Sequence, residues 1–93
     1  MLNVEKKKFH IVRAGQTLRQ IAAYYSVSEF LLAKENALTN EPFEGRVLKI
    51  PDRAGNAYFV REGDTKALLC GDDGEYARKN GTDIFYIGMR VIL

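Results

Sequence analysis

Two residue types suited to nucleophilic or metal chemistry occur once each in this chain, His10 and Cys70. A Cys–His catalytic pair needs hydrogen-bond contact and a third group that orients the base. His10 falls on the inward face of a short strand and Cys70 on a small packed helical position, so both read as core. A lone cysteine also excludes an internal disulfide. Asp72-Asp73-Gly74-Glu75 has the composition of a metal loop, but a calcium loop needs oxygen ligands at alternating positions over about twelve residues, and this run lacks them. Hydrolysis of a glycosidic bond needs two carboxylates flanking a cleft, which very small units do not easily build. The expectation is a chain that is not an enzyme and uses no cofactor and no metal.

The bulk properties narrow the class. The 93 residues are 46% hydrophobic and 28% charged, which fits one small soluble chain or two very small units. Fourteen Lys and Arg against twelve Asp and Glu give a net charge of +2, too little for a protein that lives on phosphate backbones, so nucleic acid is not the expected ligand. Lys6-Lys7-Lys8 reads as a solvated part of an N-terminal tail over residues 1–8. No apolar h-region follows it, so no signal peptide is seen, and the expectation is a cytoplasmic chain, or one reaching a wall or particle by another route. No apolar run approaches the ~18 residues of a membrane span, so no membrane is expected as a partner.

The elements that position any site follow from periodicity. Residues 10–13 alternate as a strand, with His10 and Val12 on one face and Ile11 and Arg13 on the other. After the turn at Ala14-Gly15-Gln16, Thr17 and Gln20 form a capping box, and Leu18, Ile21, Ala22 and Tyr25 share one helical face. Ser28 caps a second helix, Val27 is placed to staple onto Leu31 or Leu32, and Asn36 is a candidate left-handed stop. In the return strand Val47-Leu48-Lys49-Ile50, Leu48 and Ile50 point inward and Lys49 outward. The predicted order is strand, helix, helix, strand, with the two strands antiparallel.

The same plan recurs. His10-Ile11-Val12-Arg13-Ala14-Gly15-Gln16-Thr17 aligns with Tyr58-Phe59-Val60-Arg61-Glu62-Gly63-Asp64-Thr65 at an offset of 48. Asn36 aligns with Asn80 at 44, and Gly45 to Ile50 with Gly88 to Leu93 at 43. The shrinking offset removes about one helical turn from the first helix of the second copy, with Gly71 standing for Ala23 to Val27. Thr65 caps that shortened helix, Lys66 replaces Leu18, and Asp72 with Glu75 forms the next capping box. Residues 52–56 read as a linker between units at 9–51 and 57–93.

These landmarks resemble a LysM domain: the Gly15-Gln16-Thr17-Leu18 turn, Ile21-Ala22, the Val27-Ser28 helix start, Asn36 and the exit from Gly45 to Pro51. Residues 57–93 resemble a second, degenerate copy through Gly63-Asp64-Thr65 and Asn80 to Leu93. The resemblance implies an α+β fold of two tandem βααβ units, each a two-stranded antiparallel sheet packed on a helix pair. It also implies binding of N-acetylglucosamine polymers, meaning peptidoglycan of bacterial cell wall or chitin, in a shallow groove. Carried onto this sequence, one wall is Gly15, Gln16, Thr17 and Leu18, and the other is Leu38, Thr39, Asn40, Glu41 and Pro42.

Those types suit a neutral N-acetyl sugar, which needs backbone donors and acceptors on rigid turns and a small apolar contact for its methyl. Gly15 would allow close backbone approach, and Leu18 or Pro42 would receive the methyl. The second copy departs from the pattern at Lys66 and in a shortened facing loop, which leaves a weaker site at Gly63, Asp64, Thr65 and Thr82, or none. Ile11 and Val47 in the first copy, with Phe59 and Ile92 in the second, alternate against the inward sets and are expected to face outward. They suggest packing of copy on copy, self-association or a protein partner. The rival function is accordingly a protein-interaction or assembly module of spore-coat or phage-particle type that keeps the fold without binding glycan.

Overall fold

The computed structural model describes residues 8–93. All but the last residue of the expected N-terminal tail therefore lies outside the described residues. Eight elements follow in the order β1 (Lys8–Ile11), α1 (Leu18–Tyr25), α2 (Glu29–Glu35), β2 (Val47–Ile50), β3 (Ala57–Phe59), α3 (Lys66–Cys70), α4 (Asp73–Asn80) and β4 (Arg90–Ile92). β1 pairs antiparallel with β2, Ile11 opposite Val47 and Lys8 opposite Ile50. β3 pairs antiparallel with β4, Ala57 opposite Ile92 and Phe59 opposite Arg90. The chain is thus α+β, with two separate two-stranded sheets and two helix pairs.

Local chemistry sets the helix starts. Thr17 accepts from the Gln20 amide while the Gln20 side chain accepts from the Thr17 amide, closing the capping box. Ser28, Thr65 and Asp72 each accept from the amide three residues on. The box expected at Asp72 is only half made, because the Glu75 carboxylate turns to Arg78 one helical turn further on.

Two cores result. Val12, Ile21, Ala22, Val27, Leu32, Leu48 and Ile50 bury the first, and Val60, Tyr76, Met89 and Val91 the second. Tyr76 stands where the alignment puts Leu32, and both are fully buried. Its hydroxyl donates to the Ile84 carbonyl at 2.6 Å, and desolvation pushes its pKa up to about 12. α3 is five residues against eight in α1, and the tyrosine ring supplies apolar volume to a core that has fewer aliphatic side chains.

The units repeat one hydrogen-bond plan. Gly45 donates to the Val12 carbonyl and Gly88 to that of Val60, both at 2.8 Å. Arg46 donates to the Phe43 carbonyl at 3.2 Å and Met89 to that of Tyr86 at 3.1 Å. The expected role of Asn36 is corrected here: it has φ −108°, and the left-handed residue is Ala37 at φ 51°. The Asn36 side chain instead clamps helix to strand, donating to the carbonyls of Leu32 and Lys49 and accepting from the Lys49 amide. Asn80 does the same to Tyr76 and Ile92.

The units are joined along α2 and α4. Ser28 Oγ donates to the Asn80 carbonyl at 2.7 Å and the Arg90 guanidinium to the Val27 carbonyl at 2.9 Å. Phe30 of α2 packs on the second core. Gly81, at φ 67°, lies so close to Leu31 that a Cβ would meet its Cα at 2.7 Å, so glycine is required both by conformation and by contact. Gly55 in the linker donates to the Ser26 carbonyl and lies against Leu93 and Ile92.

That linker corrects the expectation for Ile92, which is 1% exposed rather than outward in solvent. Ile11, Val47 and Phe59 are exposed as expected, and Phe9 joins Ile11 and Val47 on the open face of the first sheet. Cys70 is half-buried where Ala22 is fully buried, and burial raises its thiol pKa. Among the described residues no helix is long and apolar enough to cross a membrane.

Candidate functional site

The turn between β1 and α1 is held by side chains from within the first unit. Gln16 Oε1 accepts from the Arg13 amide and is paired with His10 Nε2, each at 2.9 Å, and His10 Nδ1 is paired with the Tyr25 hydroxyl at 2.9 Å. His10 is therefore a half-buried brace for the turn, engaged at both ring nitrogens. The second unit builds the same brace from other residues. The Tyr58 hydroxyl and the Arg61 amide both donate to Asp64 Oδ2, at 2.7 and 2.8 Å. The hydroxyl, then the amide, hold the Asp64 carboxyl below its ordinary range, and the same contact raises the Tyr58 phenol.

From this turn α1 starts, and opposite it runs the loop that leaves α2. Between them lies an open groove of ≈ 360 Å³. The Leu18 amide, one of the unsatisfied donors at the start of α1, donates across the groove to Glu41 Oε1 at 2.6 Å. The carboxylate ties the two walls together and sits where the helix N-terminus favours negative charge. Leu18 and Leu38 supply apolar surface, and Thr39, Asn40 and Glu41 supply polar atoms.

Five of the nine expected wall residues line this groove: Leu18, Leu38, Thr39, Asn40 and Glu41. Gly15, Gln16, Thr17 and Pro42 do not. Gln16 and Thr17 have their side chains committed to the brace and the cap. Gly15 is exposed with φ 80° and has nothing within 4 Å of a Cβ position, so within the protein its glycine is required by the turn conformation. Pro42 is buried.

The residues of the weaker site expected in the second unit hold its own turns and helix start. Asp64 braces its turn, Thr65 caps α3, Thr82 Oγ1 accepts from the Ile84 amide, and Gly63 is an exposed turn residue. Lys66, where the first unit has Leu18, lays its ammonium 5.4 Å from the Tyr76 ring centroid.

The groove extends beyond what the sequence located. Its floor continues along α2 through Glu29, Phe30 and Ala33, its rim includes Arg19, and one residue, Tyr86, comes from the second unit. Arg19 Nε lies 3.7 Å from Glu29 Oε1. The signal for Tyr86 was present in the repeat, because the 43-residue offset aligns it with Phe43 and both turns carry an exposed aromatic ring. Among the described residues no group of three or more His, Cys, Asp and Glu is arranged to hold a metal ion.

Comparison with known proteins bears on the first unit. The LysM domain family model matches residues 10–51, the stretch that carries the turn brace, both helices of the first unit and β2. LysM is a binding domain rather than a catalytic one. No curated protein matches the chain. Among solved structures, the spore cortex-lytic enzyme SleL of Bacillus cereus is similar, with 21% identity and a TM-score of 0.47 over 95% of this chain and 23% of that one. SleL of Bacillus megaterium QM B1551 is similar at 24% identity and a TM-score of 0.47 over 94% of this chain and 22% of the other. The chain thus spans less than a quarter of either enzyme's length.

Proposed function

We propose that this chain binds N-acetylglucosamine-containing glycan, of peptidoglycan or chitin type, without chemically altering it. The observation that carries the reading is the groove between the start of α1 and the loop at 38–41, within the residues that match the LysM domain. Its mix of leucine side chains with Thr39, Asn40 and Glu41 suits a sugar that bears one methyl among amide and hydroxyl groups. On this reading residues 9–51 are the binding unit, 52–56 the linker, and 57–93 a diverged second copy whose corresponding positions carry Lys66 and the shorter loop Gly81-Thr82-Asp83-Ile84. Affinity is modest, since the chain has no tryptophan and a shallow open site buries little ligand area.

The rival reading, an interaction or assembly module, is favoured by one observation. Phe9, Ile11 and Val47 form an exposed apolar face on the first sheet. Co-sedimentation with insoluble peptidoglycan and with chitin separates the two. The glycan reading expects the chain in the pellet with at least one polymer and its release by soluble oligosaccharide. Recovery of all the protein in the supernatant contradicts it and favours the rival.

A further inference from the structure

Tyr86 belongs to the second unit, yet it lines the groove of the first together with Leu18, Phe30 and Leu38. We infer that the binding site is composite: the second unit supplies Tyr86 as an aromatic platform on which a sugar ring in the groove stacks. The inference rests on the glycan reading and adds a residue and a role to it.

The placement is not that of a loosely held loop. The Met89 amide donates to the Tyr86 carbonyl at 3.1 Å, closing the turn that carries the ring. The preceding Phe85 packs edge-on to Tyr76 at a centroid distance of 5.3 Å, and Tyr76 is itself bonded to the Ile84 carbonyl. The second unit is in turn held on the first by the Ser28–Asn80 and Arg90–Val27 hydrogen bonds and by Phe30. Tyr86 is therefore fixed relative to Leu38 by contacts on both sides of the boundary between units, while the residue stays 55% exposed.

The chemistry matches the partner. A pyranose ring presents C–H groups on one face and hydroxyls at its edge, so an aromatic face beside polar groups binds it where a purely polar wall does not. Without tryptophan, tyrosine is the largest ring this chain can offer, and its hydroxyl can stay wet at the groove rim. Phe43, the aligned residue of the first unit, is exposed but does not line the groove. That contrast gives the second unit a part in the groove of the first.

Calorimetric titration of the full chain with the N-acetylglucosamine tetramer tests the inference. Tyr86→Ala is expected to weaken binding about 2- to 10-fold, the range of a single aromatic contact. Tyr86→Phe is expected to retain wild-type affinity and Phe43→Ala to leave it unchanged, and the Tyr86 ring resonances of the wild type should shift as tetramer is added. Wild-type affinity in Tyr86→Ala, or ring resonances that stay still while Leu38 and Thr39 amides move, overturns the composite site and leaves the glycan reading standing. Absence of any binding by the wild type overturns both.

Discussion

Gln16 and Asp64 occupy matching positions and hold matching turns, one as a neutral amide and the other as a carboxylate. The difference makes the second turn sensitive to acid. The folded pKa of Asp64 lies below its ordinary value of 3.8, so its contribution to stability is complete above that value and is lost as pH falls through the folded one. Because the group is only half-buried and stays screened by solvent, the effect is small. Thermal melts compared at neutral pH and at about pH 2 should show a smaller acid-induced fall in Tm for Asp64→Asn than for the wild type. Equal falls in the two proteins contradict the brace. The pairing itself was hidden in the sequence, because His10 with Gln16 and Tyr58 with Asp64 share no residue type, and only the offset relates them.

At the level of elements, each helix pair is fastened to its return strand by one asparagine. Asn80 is fully buried and meets all three of its partners, two carbonyls and the Ile92 amide, in the interior. Asn80→Ala removes three buried hydrogen bonds, and denaturant unfolding is expected to show a loss of about 2–4 kcal/mol, at about 0.5–1.5 kcal/mol per bond. Asn36→Ala should cost less, since Asn36 is only half-buried and water can replace part of its bonding. A near-neutral Asn80→Ala contradicts the clamp. The sequence marked both asparagines as landmarks, and Asn36 as a backbone stop. Propensity points to the left-handed role that asparagine shares with glycine, whereas the strand it bonds lies 12 or 13 residues downstream, beyond the reach of local pattern. Helix starts were legible for the opposite reason: a cap and its amide lie three residues apart.

Over the whole molecule, strand alternation, helical periodicity and the internal repeat were together enough to order all eight elements and to assign Leu48 and Ile50 inward and Ile11 and Val47 outward. They failed at Ile92 and Tyr86, and for a shared cause. Both lie where the second unit or its linker meets another part of the chain, and no periodicity within one unit records that meeting. Ile92 is covered by the linker at Gly55, and Tyr86 is delivered to a groove built by residues more than forty positions earlier. Pro42 shows a lesser form of the same limit, since a loop residue's burial depends on what the loop folds onto. The four expected wall positions that do not line the groove, Gly15, Gln16, Thr17 and Pro42, belong to the turn and loop that frame it.

The central claim is that the cleft between the start of α1 and the loop at 38–41 takes up an N-acetylglucosamine chain. Its most direct test is amide chemical-shift mapping of the full chain against the N-acetylglucosamine tetramer and a soluble peptidoglycan fragment. Shifts that saturate and cluster at Leu18 and at Leu38 to Glu41, leaving the turn at Gly63 to Thr65 unmoved, are the predicted result. Spectra unchanged at millimolar ligand, or shifts confined to the second unit, would contradict the account.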